Sequence, residues 1–319
     1  MATDGGGGGA GSLTVTIATA GTCTLNANQA GDTAYSAATQ VQQSFTVNKA
    51  NQATVNIAAV TDSAAYTGSA YTATPTFSST GGSGNGSVTY AIVTGGTAQG
   101  CALTSGTLTA TSVGTCLIAA TKAADTNYLA GTSGNLTFTF TTTAQTITFT
   151  QPADITYGAT PSSLSATSSS GLSVAFTTAS SSICTVTGST LTILKSGTCT
   201  INANQIGDSN YSAATQVAKS FAIAKATPVL SSLTNSTKNF GDSALTITDP
   251  TVTGSIPGTF TYTSASTSVA TVSGAAVTPV AVGTSVITAL FTPTDTDKYN
   301  TSTVTMTLTV AQRSLAQPN

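Results

Sequence analysis

The chain has no His, no Trp and no Glu, so all ten of its acidic residues are Asp. Only 6% of its 319 residues are charged, where an ordinary soluble domain carries about 25%. Each absence removes a class of function. Without His or Glu, most general acid–base chemistry has no player, and metal sites lose their commonest nitrogen ligand. Eight Lys and Arg scattered along the chain cannot form the basic stripe that nucleic acid requires. Long hydrophobic runs are also missing. The longest, such as Cys116–Ala120, fall far short of the ~20 residues of a membrane-spanning helix. The first residues, MATDGGGGGAGS, lack the apolar stretch of a signal peptide. That points to a leader already removed or to a piece of something longer. The composition predicts no enzyme, no cofactor and no bound metal.

Thr and Ser fill the space instead, at about a third of the chain. Strong helix formers are scarce, while Thr, Val, Ile and Tyr remain, residues that suit a pleated, half-buried surface. Gly and Ser punctuate at short intervals. This reads as all-β. A hydrophobic fraction of 39% and a mean hydropathy of +0.21 argue against disorder for most of the chain.

The organising signal is an internal repeat. Residues Gly21–Gln52 read GTCTLNANQAGDTAYSAATQVQQSFTVNKANQ, and Gly197–Pro228 read GTCTINANQIGDSNYSAATQVAKSFAIAKATP. Weaker copies start at Gly114 and Gly283. The spacing, roughly 80–95 residues, fits a whole domain rather than a small solenoid repeat. It predicts a Gly-rich segment 1–11, a partial unit 12–49 holding only C-terminal strands, full units 50–144, 145–225 and 226–311, and a tail 312–319. In the unit 145–225, strands are expected near Thr146–Thr150, Leu164–Ser168, Val174–Thr178, Cys184–Thr187, Leu191–Leu194, Thr198–Asn204 and Gln216–Ile223. Seven short strands with regular turn signals form the pattern of an immunoglobulin-like sandwich.

Recurring positions have physical readings. Gly21, Gly114, Gly197 and Gly283 each precede a Thr before a long strand, where glycine would supply a positive φ. Tyr35, Tyr128, Tyr211 and Tyr299 recur after that strand, and in the first three copies Asp32, Asp125 and Asp208 sit three residues earlier. We expect structural tyrosines with the ring in the core and the hydroxyl on backbone, and aspartates that cap the turn. An exposed aromatic contact site is the competing reading. Tyr66, Tyr157 and Phe240, early in each full unit, are expected in the core. The segment Gly81–Ser87 (GGSGNGS) is expected to be a flexible loop.

The segment GTCTINANQ…GDSNYSAATQV…SF, with ITYGATPSSLSATSSSGL upstream, resembles the bacterial immunoglobulin-like tandem repeats of large secreted or surface adhesin-type proteins. The resemblance spans nearly everything from Ser12 to Val310, and the unit 145–225 matches best. It implies tandem sandwiches acting as stalks, spacers or adhesive modules, with no fixed ligand.

Cys101 precedes Cys116 by fifteen residues, and Cys184 precedes Cys199 by the same number. Equal spacing at the same repeat position predicts one disulfide per domain, and hence an oxidising compartment, extracellular or at a cell surface. No C-x-x-C or His supports a metal reading. In the last unit Ala270 and Ser285 stand at the two cysteine positions. Cys23 has no partner at its own spacing, where Gly8 stands, and is expected to pair across chains if at all. A half-sandwich at 12–49 exposes an apolar face. Either sequence is missing there, or another chain supplies the complement.

Weaker signals remain. The sequons at Asn85, Asn135, Asn210, Asn235 and Asn300 are frequent enough in such a composition to arise by chance. Asp295 and Asp297 stand close together, a thin basis for calcium. Lys49 and Lys225 at unit boundaries raise the idea of a Lys–Asn isopeptide bond, which lacks a buried carboxyl to assist it. A nearly uncharged Thr/Ser surface does little to repel its own copies. The sequence therefore points to an extracellular structural repeat protein, a rod, stalk or filament subunit. Its partners would be self-association or neighbouring immunoglobulin-like units, with no nucleic acid and no membrane span. The alternative is an adhesive or carbohydrate-binding surface module with a cell-surface or glycan ligand.

Overall fold

The structure, a computed structural model, describes residues 13–314. The expected Gly-rich segment 1–11, with Gly8, and the last five residues of the tail lie outside the described residues. All regular structure among the described residues is β-strand, with no helix and hence no helix able to cross a membrane. Contacts divide the chain into two compact units, residues 1–144 with 207–213, and residues 145–206 with 214–319.

The first unit opens with an antiparallel ribbon, β1 (Gly21–Ala27) and β2 (Val41–Val47). A β-sandwich follows. Its strands are β3 (Val55–Ala59), β4 (Ser63–Ala65), β5 (Tyr71–Ala73), β6 (Phe77–Gly81), β7 (Val88–Val93), β8 (Ala102–Thr104), β9 (Thr107–Ala110), β10 (Gly114–Lys122), β11 (Gly131–Thr132) and β12 (Leu136–Thr141). In one layer β10 lies between β7 and β12, and β4 joins β12 in parallel. The other layer contains β5–β9–β8 and the pair β3–β6. Between them lie Tyr71, Leu108, Cys116, Ile118, Phe138 and Phe140.

The second unit holds two sandwiches. The first comprises β13 (Ile147–Phe149), β14 (Ile155–Thr156), β15 (Ala166–Ser168), β16 (Ala175–Thr178), β17 (Cys184–Thr187), β18 (Thr190–Ile193), β19 (Gly197–Asn204) and β20 (Val217–Ala224). The other comprises β21 (Ser236–Asn239), β22 (Leu245–Thr246), β23 (Gly258–Ser264), β24 (Ala270–Ser273), β25 (Ala276–Pro279), β26 (Gly283–Pro293) and β27 (Ser302–Ala311). The layer order is the same in both: β14–β20–β19–β16 matches β21–β27–β26–β23, with the first pair parallel. Opposite stand β13–β15 and β17–β18 in one, and β22–β25–β24 in the other. A four-stranded layer centred on a long hairpin, facing a layer of short antiparallel strands, is the immunoglobulin-like arrangement. The short parallel strand β14 was not among the seven expected. It is two residues long, and its place is set by its partner β20 rather than by its own pattern.

The long hairpins show why these residues form strands. In β12 (LTFTFT) and β27 (STVTMTLTVA), Phe138, Phe140, Met306, Leu308 and Val310 face inward while Thr faces outward. Alternation at period two, with β-branched residues on the open face, is what a half-buried strand requires. The glycines at the start of the long strands hold backbone that other residues avoid. Gly197 has φ 137°, and a Cβ there would stand 2.8 Å from Ile183 Cδ1. At Gly114, φ is 130° and a Cβ would meet the Ala98 backbone nitrogen at 2.6 Å.

The last sandwich has buried Ala270 and Ser285 at the positions where the preceding one has Cys184 and Cys199. Ser285 Oγ lies 2.8 Å from Ser264 Oγ and accepts the Ser266 N–H at 3.0 Å. A small polar network thus fills the place of a disulfide. The local backbone matches, since Leu194 N–H bonds Ile183 C=O and Val280 N–H bonds Val269 C=O, both at 2.8 Å. We therefore expect the double variant Ala270→Cys/Ser285→Cys to form a disulfide. Closing this loop is worth about 3 kcal/mol, and the lost Ser285 bonds cost about 1 kcal/mol. Denaturant midpoints under oxidising and reducing conditions would show a gain of roughly 2 kcal/mol, lost on reduction. Two free thiols in the oxidised variant would contradict this register.

Candidate functional site

Four of the five cysteines are consumed in structure. Cys101–Cys116 and Cys184–Cys199 are disulfides, each with Cα atoms 5.9 Å apart. Each bond ties the edge of the short-stranded layer to the middle of the long hairpin: Cys184 opens β17 and Cys199 sits in β19, and Cys101 stands just before β8 with Cys116 in β10. Cys23, in β1, is free and half-buried.

The second recurring feature is the Asp–Tyr loop that follows each first long strand. Asp32, Asp125 and Asp208 each accept two backbone N–H groups through one carboxylate oxygen: from Ala34 and Tyr35 at 2.7 and 2.8 Å, from Asn127 and Tyr128 at 2.9 Å each, and from Asn210 and Tyr211 at 2.8 and 2.9 Å. Aspartate thus caps the turn in the way the residue type favours. In the last sandwich the loop is one residue longer, and Asp295 accepts the Asp297 N–H at 3.2 Å.

The tyrosine rings are not in the core. Tyr35 is 74% exposed, and Tyr128, Tyr211 and Tyr299 are half-buried. In the first unit the Tyr211 ring meets Tyr66 edge-on at 5.6 Å, and the Tyr71 hydroxyl lies 2.8 Å from Ser209 C=O and 3.0 Å from Asn210 Oδ1. In the second unit Tyr299 meets Tyr157 edge-on at 5.5 Å, and Lys298 Nζ lies over the Tyr157 ring at 5.7 Å. The spacing shows that a tyrosine recurs. It does not show whether the ring faces its own core or a neighbouring sandwich. Tyr66 and Tyr157 are half-buried and pack against the cores of their own sandwiches, as expected, while also meeting these rings; Phe240 is 51% exposed rather than core.

The loops at Asp125, Asp208 and Asp295 also each hold, by two backbone bonds, a residue shortly before the first strand of the sandwich that carries the loop. Ala50 N–H bonds Asn127 C=O and accepts Leu129 N–H, both at 2.8 Å. Thr143 stands in the same relation to Asn210 and Ser212, and Ala226 to Lys298 and Asn300, at 2.9–3.0 Å. The same loops reach outward. Asn127 Oδ1 accepts the N–H of Ala20, just before Gly21, and Asp297 C=O accepts the N–H of Ser196, just before Gly197. This double engagement was not foreseen. The aromatic residue near a glycine early in each unit, as in Tyr157–Gly158, was its only trace in the sequence.

Charged groups are spent on these loops. Asp125 lies below the usual carboxylate range, chiefly because the backbone N–H groups of Asn85 and Asn127 hold the anion. The bond from Asn85, at 2.9 Å, and one from Ser83 N–H to Gln52 Oε1, at 2.6 Å, tether the segment Gly81–Ser87. It is a held loop, not the free one its glycines suggested. Asp295 pairs with Lys298 at 2.9 Å, which lowers the Asp295 carboxyl and raises the Lys298 ammonium. Asp297 pairs with Lys195 at 3.0 Å. Both carboxylates considered for calcium therefore face lysines. Lys49 Nζ donates to Asp125 C=O at 2.6 Å, not to a side-chain carboxyl. A hollow of about 460 Å³ in the first sandwich of the second unit is lined by Phe149, Asp154, Leu191 and Phe221. Its aromatic rings are buried, and Asp154 accepts Ala222 N–H at 2.7 Å, so no exposed aromatic platform for a sugar lies there.

The pH dependence follows from these pairs. A depressed carboxylate stabilises the folded state above its unfolded value, near 3.8, and that contribution disappears as pH falls through the folded value. A raised ammonium stabilises below 10.5 and is lost as pH rises beyond it. Thermal midpoints are therefore expected to hold level between these limits and fall on both sides. Asp295→Asn is expected to reduce the Lys298 part of the alkaline fall, leaving the smaller share due to Tyr157, read as a flatter alkaline limb. Tyr299→Ala is expected to cost about 0.5–1.5 kcal/mol from the lost aromatic pair, beyond its buried area. An unchanged midpoint in Tyr299→Ala would show that the ring contact contributes nothing.

No protein-family model matches the chain, and no curated protein matches it. Among solved structures the chain is similar to cadherin-type and immunoglobulin repeat domains. The Sidekick-1 immunoglobulin domains 1–5 match at 15% identity and a TM-score of 0.32, over 84% of this chain and 61% of that one. Human CDH23 EC21–23 matches at 13% and 0.26, over 82% and 100%, and Drosophila N-cadherin EC1–3 at 9% and 0.25, over 71% and 89%. At these values the likeness is one of repeated β-domains and assigns no partner.

Proposed function

We propose that the chain is an extracellular structural repeat protein, a rod, stalk or filament subunit of immunoglobulin-like sandwiches, related to bacterial surface repeats, and not an enzyme. The observation that carries this reading is the bonded joint. In the second unit β20 ends at Ala224, and Ala226 is already held by Lys298 and Asn300. The Tyr157–Tyr299 ring pair and the Lys195–Asp297 ion pair stand beside it. In the first unit Ala50 is held in the same way, three residues after β2 ends. A chain with no slack between sandwiches transmits position from one to the next, which a spacer needs and a tethered binding module does not. Two disulfides support an oxidising location. The low charge leaves sheet edges such as β16 and β23 without lysine guards, which supports self-association.

Small-angle scattering on the monomeric chain tests the shape. A compact globule of this length has a radius of gyration of about 20 Å. Units on the order of 40 Å laid end to end give about twice that. The larger value is expected. A radius near the compact one would remove the rod reading.

A further inference from the structure

Strand β23 (GTFTYTS) forms the outer edge of the layer β21–β27–β26–β23, and no strand of the described residues lies beyond it. Its sandwich is otherwise complete, with both layers present and Ile247, Ala270, Val277, Ile287 and Leu308 buried between them. The register with β26 tells which backbone groups are spent. Ala265 N–H bonds Val286 C=O and Thr294 N–H bonds Pro257 C=O, both at 2.9 Å. Hydrogen-bonded pairs recur at every second residue of an antiparallel ladder, so Thr259, Thr261 and Thr263 bond β26. Gly258, Phe260, Tyr262 and Ser264 turn their N–H and C=O groups outward. The edge carries none of the usual guards, since no charge, proline or bulge interrupts 258–264. It is also longer than β7 or β16, which hold the same place in the other sandwiches. Inside the edge, Phe260 stacks with Tyr262 at 6.3 Å and packs on Phe291 at 5.1 Å, and the Tyr262 hydroxyl donates to Asp249 Oδ1 at 2.6 Å. These contacts hold the strand in place, yet both rings remain only half-buried.

We propose that this edge binds a second copy of the chain, β23 against β23, antiparallel about a two-fold axis at Thr261. The strand is self-complementary in that register. Gly258 lies opposite Ser264, Thr259 opposite Thr263 and Phe260 opposite Tyr262, each pair formed twice, and Thr261 faces its own copy. Aromatic pairs and Thr–Thr pairs are favourable cross-strand neighbours, and no like charges meet. The outward residues of both copies then donate and accept across the axis, giving about eight main-chain bonds against the roughly ten hydrogen bonds of a standard interface. The contact is isologous, so this edge is satisfied by one copy, and it joins two four-stranded layers into one sheet. The inference deepens the self-association in the proposed function and rests on that reading, while scattering from the monomer tests the rod shape separately.

The test uses the whole chain with Cys23→Ser, which removes the native free thiol, and adds one cysteine at a time on the exposed side of β23. Residues opposed in a non-hydrogen-bonded pair have Cα atoms ~4.5 Å apart, within the span of a disulfide. Thr261→Cys is expected to link to its own copy at least about tenfold faster than Thr259→Cys or Thr263→Cys alone, and an equal mixture of those two is expected to link at a rate comparable to Thr261→Cys. Equal rates for every variant would show random collision and overturn the proposal. Without added cysteines, raising the protein concentration is expected to slow amide exchange at Phe260, Tyr262 and Ser264, while Thr259, Thr261 and Thr263 stay protected throughout. Thr261→Lys keeps its bonds to β26 and sets like charges opposite each other across the axis. It is expected to abolish this concentration dependence while the dilute protein keeps its thermal midpoint. Association that leaves exchange at Phe260, Tyr262 and Ser264 unchanged would overturn this site and leave the proposed self-association standing. A chain that stays monomeric at every concentration would overturn both.

Discussion

Each sandwich depends on burying the inner face of its long hairpin. The inward residues of β10–β12, β19–β20 and β26–β27 are buried, and the short strands opposite cover that face. The rest of the design supports this one contact. Glycine at the strand start lets the chain turn in without a Cβ clash, as at Gly197 against Ile183. A disulfide ties the cover to the hairpin in two sandwiches, and the Ser264–Ser266–Ser285 network occupies that place in the third. Short strands contribute few ladder bonds of their own, so the cover is held by apolar contact and by these ties. The ribbon β1–β2 shows the same hairpin with its inner face only half-buried.

The scarcity of charge shapes the loops more than the cores. Most of the few Asp residues act as backbone acceptors: Asp32, Asp125, Asp208 and Asp295 cap turns, Asp154 holds Ala222 and Asp242 holds Asn239. A carboxylate capping two N–H groups fixes a loop more firmly than Ser or Thr would. This explains how a chain so rich in glycine and serine keeps its connections ordered. The segment Gly81–Ser87 is the clearest case, pinned by Asp125 and Gln52 despite a composition that suggests free movement.

The core was legible in the sequence because its signal is local and repeated. Alternation in TQVAKSFAI or STVTMTLTV marks a strand and its inner face, and two cysteine pairs at equal spacing mark a bond that recurs with the domain. What was illegible depends on partners elsewhere in the chain. Strand β14 is too short to have a pattern, and β20 fixes its place. Tyr128, Tyr211 and Tyr299 recur as firmly as any core residue, and an amphipathic ring is suited equally to a core edge and to a surface contact. Only the placement of Tyr66 and Tyr157 shows which of the two applies.

The joints and the cores differ in strength, and this sets how the chain behaves as a whole. A core buries several large side chains, each worth roughly 1.5–3 kcal/mol when fully removed from water. The joint at Ala226 rests on two backbone bonds, one edge-on ring pair and an exposed ion pair between Lys195 and Asp297. Net contributions of about 1 kcal/mol per hydrogen bond and at most about 1 kcal/mol for an exposed ion pair make the joint the weaker element. Stability of such an array is then close to a sum over sandwiches with modest nearest-neighbour coupling. A joint of this kind orients its neighbour without making the neighbour's folding depend on it. That independence lets Ala270 and Ser285 replace a disulfide in one sandwich while the others keep theirs.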